Sequence, residues 1–318
     1  MKLSQRLQAM QGKDDLIDRL VWWALTAVII VTLLFAGYYY WDRYIHIGDQ
    51  SPLERGVQHL EQLVRENPQD PEARVALAQY YFENGAYDQA IGQARQVLNA
   101  FPENDAAMFI LGVSYVQTGD YSAAVPPLKD FTAVRSQSPM ANSDTVLETA
   151  LYYLGISQLA LNQPQQAIPV LEQAITINAT DADALYQLGR AYANTDDHAQ
   201  AITYYQDAIR FVPDFIEAYQ GLHQSYLALG QNDHANYAQG MIAYAQMDYT
   251  TAQQYLEPAA AHLPEFAPVH VGLGLTYEML GNLTAAEASL KHALTLAPDD
   301  FLANHALGRV QQSLQGEG

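Results

Sequence analysis

The sequence predicts an all-α fold: a solenoid of paired antiparallel helices, preceded by one transmembrane helix. Two observations lead to this fold class. From about residue 53 onward, leucines and small residues recur every 34 positions, and a period of 20–50 residues is the mark of a repeat architecture. Closer to the N-terminus, residues 21–41 contain no charged side chain. About 20 apolar residues in a helix are enough to cross a bilayer.

The uncharged run reads VWWALTAVIIVTLLFAGYYYW and is closed by Arg19 on one side and by Asp42 and Arg43 on the other. Trp and Tyr stand at both of its ends, where aromatic rings would reach the two headgroup layers. A signal peptide has a shorter apolar region that is followed by small residues, whereas aromatic residues follow this run. We therefore expect residues 21–41 to be an uncleaved, single-pass membrane anchor.

The basic residues around the run predict its orientation. The preceding tail, residues 1–20, carries four of them and a similar length after the run carries two: Lys2, Arg6, Lys13 and Arg19 before it, Arg43 and Arg55 after it. The side with more cations stays cytoplasmic. We expect a plasma (inner) membrane protein with a cytoplasmic N-terminus and an extracytoplasmic C-terminal part. The reverse topology stays open, because long domains can translocate whatever their charge.

Composition limits the partners and the chemistry. The 318-residue chain has a formal net charge of −20, nearly all of it beyond the apolar run. Such a surface is repelled by nucleic acid and by anionic headgroups, so we expect neither as a ligand. The chain has no Cys, which excludes disulfides, thiolate metal sites, iron–sulfur clusters and thiol nucleophiles. The sequence predicts no cofactor and no metal site.

The 34-residue period is carried by a small set of positions. Leucine, usually followed by a small residue, marks a first helix: Leu77, Leu111, Leu154, Leu188, Leu222, Leu273 and Leu307, with Ala78, Gly112, Gly155, Gly189, Gly274 and Gly308. A tyrosine follows three residues after the small one in several repeats: Tyr81, Tyr115, Tyr192 and Tyr277. Alanine marks a second helix: Ala90, Ala124, Ala167, Ala201, Ala252 and Ala286. Four residues after the last five come Leu128, Leu171, Tyr205, Leu256 and Leu290, and Pro102, Pro213, Pro264 and Pro298 end repeats.

This pattern closely resembles the tetratricopeptide repeat, W-x2-L-G-x2-Y…A-x3-F…P. The resemblance implies that each repeat is a helical hairpin and that the hairpins stack into a superhelix. In physical terms, the small residues let the two helices of a hairpin approach, and proline stops the second helix because it cannot continue it. The pattern is specific for fold and nearly silent on function.

The same periods predict the domain organisation. A linker at residues 42–52 leads to the array at residues 53–314, and residues 315–318 form a tail. Residues 52–67 have the pattern of a lone half repeat that caps the array. The array has an insertion at about 131–147, and an extra half repeat at about 216–232, because Leu222 and Leu273 are 51 residues apart. We expect Pro126 and Pro127 to lie in a first turn, the place where a helix tolerates proline. The extra half repeat should disturb the array locally or divide it in two.

No catalytic constellation is visible, so the sequence does not predict an enzyme. The nine histidines are scattered, and none forms the i, i+4 pair of a helical zinc site. The acids follow helix starts, where they complement the helix dipole. The glycines occupy packing positions within helices and do not form a phosphate-binding loop.

What remains is a binding surface. In proteins with this repeat, the first helices line a concave groove that holds a peptide or a partner's helix. The positions that the resemblance assigns to the groove are Phe82, Phe109, Val113, Tyr152, Ile156, Tyr186, Arg190, Asn194 and Gln224. Arg190 is the single cation among them, so we do not expect capture of an acidic C-terminus. An apolar segment anchored by aromatic rings fits better. The competing interpretation is that Phe109, Tyr152 and Tyr186 pack against adjacent helices.

The sequence therefore predicts a membrane-anchored scaffold of the bacterial envelope that binds a protein or peptide partner in its groove. Two alternatives stay open. In one, the array faces the cytoplasm and recruits soluble partners to the membrane. In the other, the chain is a self-associating homo-oligomer that builds a larger assembly.

Overall fold

The computed structural model describes residues 22, 23, 26, 28–41 and 52–316, and every regular element in this part of the chain is helical. The chain forms two compact units, an N-terminal unit Met1–Pro68 and a C-terminal unit Gln69–Gly318. The predicted tail at 1–20, most of the predicted linker and the last two residues lie outside the described residues. Those boundaries stay predictions.

In the N-terminal unit, residues 28–41 are helical and α1 spans Pro52–Glu66. The Thr32 hydroxyl donates a hydrogen bond to the carbonyl oxygen of Val28 at 2.8 Å, so this polar group is satisfied within its own helix. Among the described residues, no helix has both the length and the apolar character needed to cross a membrane. Residues 21, 24, 25 and 27 of the predicted anchor lie outside the described residues.

The C-terminal unit is a run of helices in which each packs against the next along the chain, as the repeat pattern predicts. The helices are α2 Pro71–Glu83, α3 Tyr87–Ala100, α4 Asp105–Gln117, α5 Tyr121–Arg135, α6 Thr145–Ala160, α7 Pro164–Ile177, α8 Ala182–Ala193, α9 His198–Phe211, α10 Ile216–Ala228, α11 Asn232–Ala245, α12 Tyr249–His262, α13 Ala267–Met279, α14 Leu283–Leu296 and α15 Phe301–Gly316.

The hairpins are held by one recurring close approach. In α4, a Cβ atom added to Gly112 would lie 2.5 Å from Cγ of Leu128 in α5, which is far inside contact distance. The same clash would occur between Gly155 and Leu171 at 2.5 Å, and between Gly274 and Leu290 at 2.4 Å. Leucine thus fills the space that a missing side chain leaves, which confirms the packing role predicted for the small residues.

Helix ends follow the local sequence. Asp70, Asn104, Asp144 and Asp181 cap the N-termini of α2, α4, α6 and α8, and each side chain accepts a hydrogen bond from a backbone N–H of the first turn. Such a cap contributes about 1 kcal/mol. The turn after a first helix needs a residue with positive φ, such as Gly119 at 80°, and glycine adopts that conformation without steric cost.

The prediction for Pro126 and Pro127 is wrong. They lie at the sixth and seventh residues of α5, past its first turn, and the helix continues to Arg135. Their nitrogens carry no hydrogen to donate to the preceding turn. The helix persists there because Leu128 and Phe131 are buried to 0% and 1% exposure on its inner face, so tertiary packing outweighs the lost backbone bonds.

The extra half repeat is accommodated by α11, which packs against both α10 and α12. Ala235 stands 34 residues after Ala201, as in a second helix, whereas Gly240 stands 16 residues before Leu256, as in a first helix. A Cβ on Gly240 would lie 2.6 Å from Leu256. Residues 69–318 form one compact unit, so the odd helix does not divide the array.

The insertion is tied to the array by one arginine. After α5 ends at Arg135, the chain forms a 3₁₀ turn at Ala141–Ser143 before α6 begins. Arg135 donates from Nε to Asp144 at 2.5 Å and from Nη1 to Asp105 at 3.1 Å. The two acids lie at the starts of α6 and α4, so the arginine links the ends of the inserted loop to the preceding repeat.

Gly112→Ala tests the packing rule. The new methyl would collide with a leucine that is fully buried and cannot move aside, so we expect a loss of about 1–3 kcal/mol in the free energy of unfolding. Gly92→Ala in α3 is the matched control, because its Cβ would meet no described atom within 4 Å, and alanine favours a helix by about 0.5–1 kcal/mol. Urea denaturation followed by circular dichroism measures both; equal midpoints for the two variants would contradict the rule.

Candidate functional site

The candidate site begins with Tyr205, the one aromatic residue among the five large residues of the second helices that the sequence pattern identified. Its ring is 2% exposed and lies between two glycines. A Cβ on Gly189 in α8 would lie 2.7 Å from the ring, and a Cβ on Gly221 in α10 would lie 2.4 Å from it. A ring longer than leucine therefore reaches from its own hairpin to the next first helix.

Next to this ring lies a cavity of about 310 Å³ between α8 and α10. We call it the α8–α10 cavity. Its walls are formed mainly by polar side chains: Tyr186, Arg190, Ala193, Asn194, His198, Tyr205, Glu217, Gln220, Gly221, Gln224 and Ser225. Two successive first helices thus supply most of the residues, as expected for a groove-facing surface.

Aromatic packing fixes the Tyr186 wall of the cavity. The ring of Tyr186 is half-buried, with its centroid 5.9 Å from that of Tyr205 and 5.1 Å from that of Phe215. The guanidinium of Arg190 lies 5.7 Å from the Tyr186 ring centroid, and its Nη1 donates to Oε1 of Gln187 at 2.8 Å. Burial raises the pKa of the Tyr186 hydroxyl, so this phenol stays neutral at physiological pH.

The remaining walls offer hydrogen-bonding groups of both kinds. Asn194, Gln220 and Gln224 are exposed amides, and each carries two N–H donors and one acceptor oxygen. The Nδ1 atom of His198 is buried and has no hydrogen-bond partner within the described part of the chain. Arg190 and Glu217 add one charge of each sign. The cavity therefore presents unused hydrogen-bonding capacity beside two rings.

The structure brings together four of the nine predicted site residues: Tyr186, Arg190, Asn194 and Gln224 all line the α8–α10 cavity. The other five lie elsewhere. Phe82, Phe109, Tyr152 and Ile156 are half-buried, and the Phe109 centroid is 6.4 Å from that of Phe82 and 5.4 Å from that of Phe131.

Val113 requires a correction. It is 1% exposed and belongs to the core of the first repeats, so it presents no surface to a partner. Its helix, α4, is buried on nearly all sides from Ala107 to Val116. In an apolar helix of this kind, the sequence pattern does not distinguish the groove face from the core face, which is the reason for the error.

Sequence reasoning missed Tyr205, His198, Glu217, Gln220 and Gly221 as site residues. Two signals were present. Tyr205 replaces the leucine of four other repeats, and Gly221 is a glycine one position before the leucine, where the pattern has no small residue. A larger side chain opposed by an extra glycine indicates a local change in helix spacing. Glu217 and Gln220 become recognisable only once α10 is placed beside α8.

A carboxyl pair lies near one end of this surface. Glu148 in α6 is 8% exposed, and its Oε1 has no partner among the described residues. Burial, followed by the hydrogen bond to Asp181 and the charge of that residue, raises the pKa of Glu148 from 4.5 to about 7. Burial and the charges of Asp181 and Glu217 also raise the pKa of Asp183. Acidic groups therefore continue from this pair to the α8–α10 cavity.

A second cavity, of about 660 Å³, lies beside the insertion and includes the exposed side chains of Val134 and Met140. Its central charge, Arg135, is already paired with both Asp105 and Asp144. That pairing leaves less unused polar capacity than in the α8–α10 cavity. We therefore take the smaller cavity as the candidate site.

Two histidines meet although 22 residues separate them in the sequence. The rings of His270 and His292 lie 4.3 Å apart, and each Nε2 is within 3.1 Å of the carbonyl oxygen of Pro264. Both rings thus serve the turn that follows α12. Among the described residues, no group of three or more His, Asp or Glu side chains is arranged to hold a metal ion.

Comparison with known families finds two profiles of the tetratricopeptide repeat in this chain. One matches residues 53–98 and 158–226, and the other matches residues 76–136 and 237–301. Together they extend over more than half of the 318 residues.

Curated relatives are similar over parts of their length. BBSome complex member BBS4 of Bos taurus is 24% identical over 200 residues, which are 61% of this chain and 37% of that protein. Cellulose synthase operon protein C of Escherichia coli K12 is 31% identical over 113 residues, 33% of this chain and 10% of that protein. The chain thus spans well under half the length of either relative.

Among solved structures, the fold is similar to that of YrrB, described as a tetratricopeptide-repeat protein with an unusual peptide-binding site. The two share 20% identity with a TM-score of 0.53, over 62% of this chain and 97% of YrrB. A crystal structure of MamA is 28% identical with a TM-score of 0.47, over 60% of this chain and 94% of MamA. The likeness to YrrB supports the solenoid fold.

The Glu148–Asp181 pair predicts a pH-dependent stability. Because the folded state holds a proton on Glu148 up to about pH 7, whereas the unfolded chain releases it near pH 4.5, stability falls as pH rises through that window and levels off above it. Glu148→Gln removes this contribution, so the variant should show a flatter profile and exceed the wild type in stability above pH 7. Urea midpoints from pH 5 to 8 measure the effect. Glu103→Gln, at an exposed position, is the control; identical profiles for both variants would exclude the pair.

Proposed function

Because the chain belongs to the tetratricopeptide-repeat family, we propose that it is an interaction scaffold whose α8–α10 cavity holds an extended segment of a protein partner. One observation carries the proposal. Tyr186, Arg190, Asn194 and Gln224, predicted from the sequence as groove residues on successive first helices, line a single cavity. The proposal assigns no catalytic step to the chain.

The chemistry of the cavity fits a peptide backbone. An extended segment presents alternating N–H and C=O groups, and the amides of Asn194, Gln220 and Gln224 can pair with both. The rings of Tyr186 and Tyr205 offer a surface for one apolar or aromatic side chain of the segment. The partner segment we propose is therefore apolar at its anchoring residue and bonded along its main chain, which refines the purely apolar segment expected from the sequence.

We also propose that residues 21–41 anchor this scaffold in a bacterial plasma (inner) membrane, with residues 1–20 in the cytoplasm and the repeats outside. The support is in the sequence: an uncharged run of bilayer length with aromatic residues at both ends, and more basic residues before it than after it. The strongly acidic array would be held away from anionic headgroups on the same membrane.

The partner-binding proposal is tested in two steps. A photoreactive phenylalanine at Gln224, in full-length protein in its native membranes, should crosslink one discrete segment that mass spectrometry maps; the same group at Met247, an exposed position outside the cavity lining, should not. A labelled synthetic copy of that segment should then bind the purified chain in fluorescence anisotropy. Asn194→Ala should weaken this binding about 2- to 10-fold, since one hydrogen bond contributes about 0.5–1.5 kcal/mol.

Asn84→Ala is the matched control for Asn194→Ala. Both residues are exposed asparagines that follow the last residue of a first helix, α2 or α8, but Asn84 does not line the cavity. Equal affinities for the two variants, or equal crosslinking from Gln224 and Met247, would contradict the assignment of the cavity as the binding site.

The topology proposal uses the absence of cysteine. Met247→Cys and Gln5→Cys each introduce a unique thiol, one on the array and one in the tail. In intact cells, a membrane-impermeant maleimide should label position 247, whereas position 5 should react only after lysis. Labelling of position 5 alone would establish the cytoplasm-facing adaptor. Release of the chain from membranes by alkaline carbonate would contradict the anchor.

A further inference from the structure

The last described helix, α15, carries an open copy of the array's packing site. Its Leu307 and Gly308 continue the leucine–small-residue series of the first helices. Inside the array, Gly112, Gly155, Gly189, Gly240 and Gly274 are each covered by a large side chain 16 residues later, which would lie 2.4–2.7 Å from an added Cβ. A Cβ on Gly308 would meet no described atom within 4 Å.

The surface around Gly308 is shaped for a neighbour. A depression of about 360 Å³ is lined by Asn304, His305, Gly308 and Arg309. Arg309 is held in place by two hydrogen bonds to Glu278 in α13, at 2.8 and 2.9 Å. At the start of the helix, Phe301 is 74% exposed, with its ring 4.2 Å from that of His305. An exposed large apolar side chain beside such a depression is typical of an interaction surface.

The matching element is in the same sequence. In α1, Gly56, Leu60, Leu63 and Pro68 follow the offsets of a second helix, 0, 4, 7 and 12, as do Ala286, Leu290, Ala293 and Pro298 around α14. Sixteen residues before Leu60, where a first helix would carry its small residue, stands Tyr44. The sequence thus supplies α1 with no first helix of its own, and Leu60 and Leu63 are half-buried in the structure.

We propose that α15 of one copy docks α1 of a second copy, with Leu60 filling the space over Gly308. The interface would have the geometry that Gly274 and Leu290 have within the chain, which makes a second copy a better-matched occupant than an unrelated helix. Because the two surfaces differ, the contact is head to tail and can be repeated by each added copy. This surface is separate from the α8–α10 cavity and does not depend on the proposed partner binding.

Gly308→Leu tests the contact in the full chain, purified in detergent. A leucine would occupy the space reserved for Leu60, and it lies on an open surface where it favours helix formation, so the variant should fold. Sedimentation velocity from 1 to 100 µM should show a wild-type average mass that rises with concentration and a Gly308→Leu association at least tenfold weaker. Gly92→Leu, at another helical glycine with no described atom within 4 Å of its Cβ, should associate like the wild type.

Crosslinking identifies which surfaces meet. Since the chain has no Cys, the double variant Leu60→Cys with Gly308→Cys should form a ladder of oligomers on mild oxidation, whereas either single variant can form at most a dimer. A wild type that stays monomeric, an unchanged association in Gly308→Leu, or oligomers without the ladder would each overturn the proposal. The last result would assign self-association to another surface, such as residues 21–41.

Discussion

The close approach of two helices at a small residue is the constraint on which the C-terminal unit depends. Each such contact places a fully buried leucine, 0% exposed at Leu128, Leu171 and Leu290, in the space over a glycine. Burying a leucine contributes about 1.5–3 kcal/mol, and close contact also brings the backbones near enough for the next hairpin to cover both. Because repeats contact mainly their neighbours, the array's stability is a sum of such local terms.

The candidate site is a variation on this contact rather than an addition to it. Where leucine would fill one hairpin, Tyr205 reaches past Gly189 to Gly221 in the following repeat. The wider spacing leaves room for the α8–α10 cavity, and the first helices on either side supply its polar walls. A single substitution at the packing position, matched by one glycine, thus turns a structural contact into a recess with unused hydrogen-bonding groups.

The sequence predicted the repeat because its signal is summed over many positions, each with a steric cause. It predicted Tyr186, Arg190, Asn194 and Gln224 for the same reason: they keep their register on exposed or half-buried faces. It placed Val113 wrongly because α4 is apolar on all sides, so its periodicity does not separate groove from core. The Glu148–Asp181 pair and the His270–His292 pair depend on how separate hairpins meet, and no local pattern records that. The prolines of α5 show tertiary packing overriding a local preference.

The dual role of α11 has a consequence for how the chain can change over generations. Seven of its 14 residues are buried, compared with three of 14 in α9, because its two faces serve neighbouring hairpins in two different registers. Fewer of its positions are therefore neutral to substitution. Drift should be slowest in this helix, and a deletion of half a repeat here would require both registers to be rebuilt at once. An irregularity of this kind, once acquired, is effectively locked into the lineage that carries it.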